Sequence, residues 1–290
     1  MNSDDFRENS KHMSKSLVEF IDEYLSANTL DLPVFHSVAL KLQQLLAKGD
    51  YGIDEVMELI VADQALASSI LRAANSPFYS GLSRISTIKD AIVRLGAQEV
   101  ANLTMISSQL DYYRSDNDML NRYMNLLWNH ALGCAVGSRW LAAKTGFNNL
   151  AQEAFLAGLL HDIGKLFLLK VLDELGRTGE LGAKLTEAMV KEVLETLHAP
   201  HGYELMRKWN LPEIYCRVVL NHHLEECSSD DMLMALVRLT NLACKKVGIG
   251  MYHEPTLVLF TTPEAHFLGV KEIALAELEI TIEDSVGKIL

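Results

Sequence analysis

Nothing in this sequence builds a disulfide framework or a cysteine-based metal knuckle. Its four cysteines, Cys134, Cys216, Cys227 and Cys244, are far apart and form no CxxC pair. The polar N-terminus shows no secretory signal, so the thiols are expected to be reduced and the chain cytoplasmic. No apolar run reaches the ~18 uninterrupted residues a membrane-spanning helix requires. Positive charge is also short: 26 Lys+Arg stand against 38 Asp+Glu, for a net charge of -12. Generic nucleic-acid binding and attachment to anionic membranes are thereby disfavoured, since both partners are negative. A local basic pocket could still hold a phosphate. Strand-like alternation long enough for a sheet is missing, as are internal repeats and low-complexity blocks.

What is present is a chain of 290 residues with 49% hydrophobic and 22% charged residues, enough for one large or two small soluble domains. Residues 1–15 are polar and read as a loose extension. Helical spacing then recurs almost throughout. Ser16 to Ala27 forms a first helix, and Leu32-Pro33 starts a second that Gly49 stops. Apolar stripes follow at Ile53 to Val61 and Leu66 to Ala74. Thr87 caps Ile88 to Leu95, and another helix covers about Ala97 to Leu110. In between, Asn75 to Ser86 reads as irregular. It carries Phe78 and Tyr79, either as loop aromatics that bind a partner or as rings that cover the core.

The polar segment Tyr112 to Asn121 is the best boundary, dividing 16–111 from 112–290. Beyond it a long helix carries Leu127, Ala131, Cys134, Ser138 and Leu141 on one stripe. Leu150 to Leu172 is the most apolar run and reads as a single helix buried nearly all round. A linker near Gly176 to Gly182, a helix to about Thr196, and a new helix with Pro200 in its first turn come next. Leu211-Pro212 opens a short helix up to His222-His223, and Asp230-Asp231 caps Met232 to Val247. The tail is mostly helical, with Thr256 to Phe260 a possible extended piece. The fold class is all-α.

His161 and Asp162 sit inside the apolar run, where ionisable groups are tolerated when paired or bound to a metal. His130, His161-Asp162, His198 and His222-His223 are separated by helix-sized intervals, so a bundle could bring them to one point. Imidazole nitrogens and one carboxylate suit divalent iron, manganese or zinc, with magnesium a further candidate. A carboxylate such as Asp162 can bridge two ions and so serve phosphoester hydrolysis. Lys165, three residues on, could hold an anionic group. Gly158 and Gly164 would admit another backbone or a ligand. The competing account is a His-Asp pair satisfied by neighbouring backbone. His201 could support the site or lie on a helix surface; His12, His36, His253 and His266 read as surface or packing residues.

Several segments together resemble the HDOD family, the "HD-related output domain" of bacterial signalling proteins, a branch of the HD superfamily of metal-dependent phosphohydrolases. They are Leu30-Asp31-Leu32-Pro33, Asp63 to Ala67, Leu71 to Ser76, Ile88 to Gly96, His161 to Lys165, His198 to Gly202, Lys208 to Pro212 and Asn221 to His223. The resemblance spans about Leu17 to Val286. It implies an HD-like helical bundle with an N-terminal helical subdomain packed on it. It places the superfamily's first metal histidine on His130, its namesake pair on His161 and Asp162, and the added histidines of binuclear members on His198, His222 and His223. The closing aspartate should lie in the Met232 to Val247 helix, where Asn241 stands instead. An amide oxygen brings no charge. The Gly-Tyr-Pro signature of the cyclic-dinucleotide phosphodiesterases is replaced by Leu224-Glu225-Glu226-Cys227.

Three functions follow for testing. One is a signalling module with a metal-binding HD centre, a nucleotide or other phosphoester ligand and signalling proteins as partners. Another is a working phosphohydrolase with Asp162 and Lys165 in its catalytic machinery. The last is a helical scaffold without a site.

Overall fold

In a computed structural model, residues 16–27, 36–76, 79, 84–182, 184–224 and 231–285 are described, and among them every regular element is a helix. The order is α1 (Leu17–Ala27), α2 (Ser37–Ala47), α3 (Ile53–Val61), α4 (Gln64–Ala74), α5 (Ile88–Leu95), α6 (Ala97–Gln109), α7 (Asp118–Lys144), α8 (Ala151–Leu160), α9 (Ile163–Thr178), α10 (Glu187–Lys208), α11 (Glu213–Asn221), α12 (Met232–Val247), α13 (Pro263–Phe267) and α14 (Glu272–Ser285). Starts are set by side-chain caps. Asp63, Thr87, Asn117, Thr186 and Asp231 each accept a hydrogen bond from a backbone N–H in the first turn of the helix that follows.

Two hydrophobic cores result. The smaller joins α2 to α6 through Leu42, Val56, Ile60, Ile70, Ala91, Val100 and Leu103. The larger is built around α7, against which α8, α9, α12 and α14 pack. Helix α6 belongs to both: Val100 and Leu103 enter the first core, Met105 and Ile106 the second. Such a helix is apolar on most sides, and its buried polar groups must be matched. They are. Asn102 donates to Gln152 of α8 at 2.9 Å, and Glu99 pairs with Arg139 of α7 at 2.5 Å.

Several sequence expectations need correction. The run from Leu150 to Leu172 is two helices, broken at His161-Asp162. Helix α9 runs through Gly176 as far as Thr178 before Gly179 turns left-handed. Residues 187–208 are one helix with Pro200 inside it rather than two helices. A mid-helix proline costs about 3 kcal/mol. Burial of Val190, Val193, Leu194 and Leu197 before it, and Leu205 and Met206 after it, holds both halves in one rod. Thr256 to Phe260 forms turns, with a 3-10 turn at Leu259–Thr261, and no strand. Tyr79 packs against the smaller core with its hydroxyl facing Glu99 and Arg139, so it covers the core. Phe78, the Leu32-Pro33 helix start, His12 and Asp230 lie outside the described residues.

Candidate metal centre

The break between α8 and α9 builds the heart of the site. In a continuous helix successive side chains diverge by about 100°. Here Asp162 leaves the helical region, at φ -105° and ψ 16°, and stands just before α9 with its side chain turned to the rings instead of capping the helix. His161 Nε2 and Asp162 Oδ2 then lie 3.4 Å apart. Close backbone approach completes the placement. A Cβ on Gly164 would lie 1.9 Å from the His198 carbonyl oxygen, and one on Gly158 would lie 2.4 Å from that of Cys134. Glycine at these two positions lets α10 and α7 press onto the break and deliver their histidines.

Four rings are aimed by main-chain carbonyls. His130 Nδ1 donates to Ile249 O at 3.0 Å, His161 Nδ1 to Gly158 O at 2.8 Å and His198 Nδ1 to Leu194 O at 2.6 Å. His222 Nδ1 faces Val218 O at 3.1 Å and Val219 O at 2.9 Å. Carbonyls only accept, so each Nδ1 carries a proton, and in its neutral form each ring presents a bare Nε2. Those Nε2 atoms converge on the two oxygens of Asp162. His130 and His161 face Oδ2 at 3.6 and 3.4 Å. His198 and His222 face Oδ1 at 3.6 and 3.3 Å. His223 joins the second group, its Nε2 3.0 Å from that of His198.

This arrangement fits metal better than mutual hydrogen bonding. Bare nitrogens 3.3 Å apart (His130–His161) or 3.4 Å apart (His198–His222) cannot bond to each other. Two nitrogens each about 2.05 Å from a tetrahedral zinc stand about 3.3 Å apart, which is the spacing found. Asp162 Oδ1 is buried without a hydrogen-bond donor. A carboxylate oxygen left so needs a cation or a bound molecule. Donor groups suited to an ion form on both sides, one from Asp162, His198, His222 and His223, the other from His130, Cys134 and His161.

Electrostatics agree for Asp162 and three of the rings; His130 departs, for burial lowers its pKa but Cys134 and Asp162 beside it draw the value up. Burial opposes charge on Asp162, yet the Lys165 ammonium 2.7 Å from Oδ2 and the surrounding rings hold its pKa well below the usual carboxylate value. Burial keeps His161 far below the ordinary imidazole pKa, and pushes His198 down to about 4 and His223 to about 3. These rings stay neutral, as ligands must. A stability consequence follows for the metal-free protein. The folded chain holds fewer protons on His198 than the unfolded chain between pH 6.5 and 4. Stability therefore falls as pH drops through that window, by on the order of 3 kcal/mol from this ring alone. Urea titrations of chelator-treated protein at pH 7.5 and pH 4.5 check it; equal midpoints would contradict it.

A cleft of about 400 Å³ opens above the rings, lined by His130, Asp162, Lys165, His198, His223 and Asn241. That volume suits a small ligand. Buried Asn241 does face the site. Every site residue expected from sequence is brought together here, with Lys165 bound to Asp162. His201 lies apart: it is buried and bonds Asp22 of α1 at 2.9 Å, fastening that helix rather than supporting the rings. Lys245, Glu195 and Tyr252 also line the cleft and were not anticipated. They carry no motif, and only the folded chain brings them there, the loop after α12 reaching α10 where the Tyr252 hydroxyl donates to Glu195 Oε1.

A helical bundle that gathers imidazoles around a broken-helix His-Asp pair defines an HD-like protein with a centre able to hold metal. More specifically, the chain belongs to the HDOD domain family, whose profile matches residues 32–225. It is 28% identical over 203 residues to an uncharacterized protein of Treponema pallidum (strain Nichols), a match covering 67% of this chain but only 38% of that protein's length. Among solved structures it is similar to an HDOD domain protein of unknown function from Geobacter sulfurreducens. That match has 25% identity and TM-score 0.73 and covers 94% of this chain and 98% of that one. It shares its fold with a protein from Shewanella amazonensis provisionally named as a metal-dependent phosphohydrolase (21% identity, TM-score 0.68, covering 93% and 98%). The same fold occurs in a provisionally named signal transduction protein from Marinobacter aquaeolei (21% identity, TM-score 0.67, covering 89% and 60%). Among the described residues no helix is long and apolar enough to cross a membrane.

Proposed function

We propose that this chain is a regulatory HDOD module whose His-Asp centre holds one or two divalent ions and takes a phosphorylated, nucleotide-sized ligand in the cleft. Residues 16–111 serve as the subdomain that meets other signalling proteins, and 112–290 as the HD-like bundle, both in the cytoplasm. One observation carries the reading: bare Nε2 atoms converge on both oxygens of a buried aspartate. His130 and His161 would hold an ion on the Oδ2 side, and His198, His222 and His223 one on the Oδ1 side. When bound, such ions supply Lewis acidity that neutralises phosphoryl oxygens and acidifies water. Lys165 contributes a cation beside the cleft, Asp162 would offer one oxygen to each ion, and main-chain carbonyls orient the rings through their Nδ1 edges.

A regulatory role is favoured by Asn241. It faces the cleft but adds no negative charge, which weakens an ion's hold and alters the acidity of water beside it. The retained ring set with Lys165 favours phosphoester hydrolysis as the second reading. Elemental analysis of the purified chain, followed by assay on a nucleotide and phosphoester panel after loading with Mn, Fe or Zn, separates them. At least one equivalent of metal, ligand binding, and no turnover above that of an Asp162→Ala control are expected. Turnover lost in that control establishes the hydrolase instead. A chain that takes up no ion under any loading condition defeats both.

A further inference from the structure

The two sides of Asp162 are unequal. Toward Oδ1 there are three imidazoles, which with the carboxylate make four donors. Toward Oδ2 there are only two, His130 and His161, which makes three. Four donors are what a closed tetrahedral site takes. Charge is also short on the Oδ2 side. Lys165 already neutralises that oxygen, Asn241 is uncharged, and the acids Glu195 and Glu254 are exposed at the mouth of the cleft.

One further atom is in place. Cys134 lies four residues after His130 on α7, so both project from one helix face. Its Sγ is 3.6 Å from His130 Nε2, and the donor atoms of His130, Cys134 and His161 all lie within 4.8 Å of one another. For a nitrogen about 2.05 Å and a sulfur about 2.3 Å from a tetrahedral zinc, the separation is about 3.5 Å. Cys134 is fully buried. Its simplest other role is a small hydrophobe packing α7 on α12, where Cys244 Sγ stands 3.6 Å away.

We infer that Cys134 is the fourth ligand on the His130–His161 side, supplying as thiolate the negative charge that Asn241 does not. The inference rests on the metal reading above. Ion binding displaces the thiol proton to solvent, and the soft donor selects zinc or iron(II) over magnesium at this side. The full chain loaded with Co(II) tests it. The wild type should show a near-ultraviolet sulfur-to-cobalt charge-transfer band. Cys134→Ser and Cys134→Ala should lose that band and bind one cobalt at least about tenfold more weakly, no less than the loss of an outer-shell partner costs. Cys244→Ala should keep the band. Cobalt bound by the wild type without the band overturns the Cys134 assignment and leaves the histidine centre standing. So does a band that survives Cys134→Ser. No cobalt bound at all overturns the inference and the metal reading together.

Discussion

Asp162→Ala protein is expected to retain less than about a tenth of the wild-type metal and to lose about 3–5 kcal/mol of stability. Both effects arise from one deletion. The carboxylate is the shared contact of four imidazole Nε2 atoms, at 3.3 to 3.6 Å, and it neutralises the buried Lys165 ammonium. Removing it leaves a buried cation without its partner and ring nitrogens facing one another. The double variant Asp162→Ala/Lys165→Met should recover part of the stability, because the stranded charge goes with it. Metal should stay lost. Urea midpoints and elemental analysis of the three proteins decide the matter. An Asp162→Ala protein with wild-type metal and an unmoved midpoint would falsify the account of Asp162 as the hub.

The second large effect needs only one methyl group. Gly164→Ala should destabilise by more than about 4 kcal/mol, enough to prevent accumulation of folded protein at 37 °C. The added Cβ would fall 1.9 Å from the His198 carbonyl oxygen, 2.8 Å from its carbon and 3.0 Å from Gly202 Cα. All three are backbone atoms that no rotamer change can move. Gly176→Ala is the control in the same helix. Its Cβ meets only Leu181 Cδ1 at 3.8 Å, so helix propensity should make it neutral or stabilising by up to about 1 kcal/mol. Equal stability of the two variants would show that α9 and α10 are not held by this contact.

The site was legible in the sequence because its histidines recur at intervals of about one helix, and an all-α chain has few ways to use that spacing except to gather them. Hydropathy could not show the break at His161-Asp162. Both flanking helices are buried on nearly every side, so no polar stripe changes phase there. Pro200 misled for a related reason. Local propensity favours a helix end before it, and only burial on either side overrides that preference. Cys134 reads as one more apolar member of the α7 stripe; its place four residues after His130 is local, but its nearness to His161 emerges only when α8 packs on α7. The clasp between His201 and Asp22 joins residues nearly two hundred positions apart, which no periodicity can reveal.

The tethering of the rings to carbonyls has a lasting consequence. His161, His198 and His222 are steered by the turn of helix just before them, so neighbouring side chains can drift without spoiling their aim. His130 alone is steered by a remote peptide, the carbonyl of Ile249 beyond α12. Fraying of that loop would release a single tooth of the claw while the other three keep their grip, so the centre should loosen in steps instead of falling apart at once.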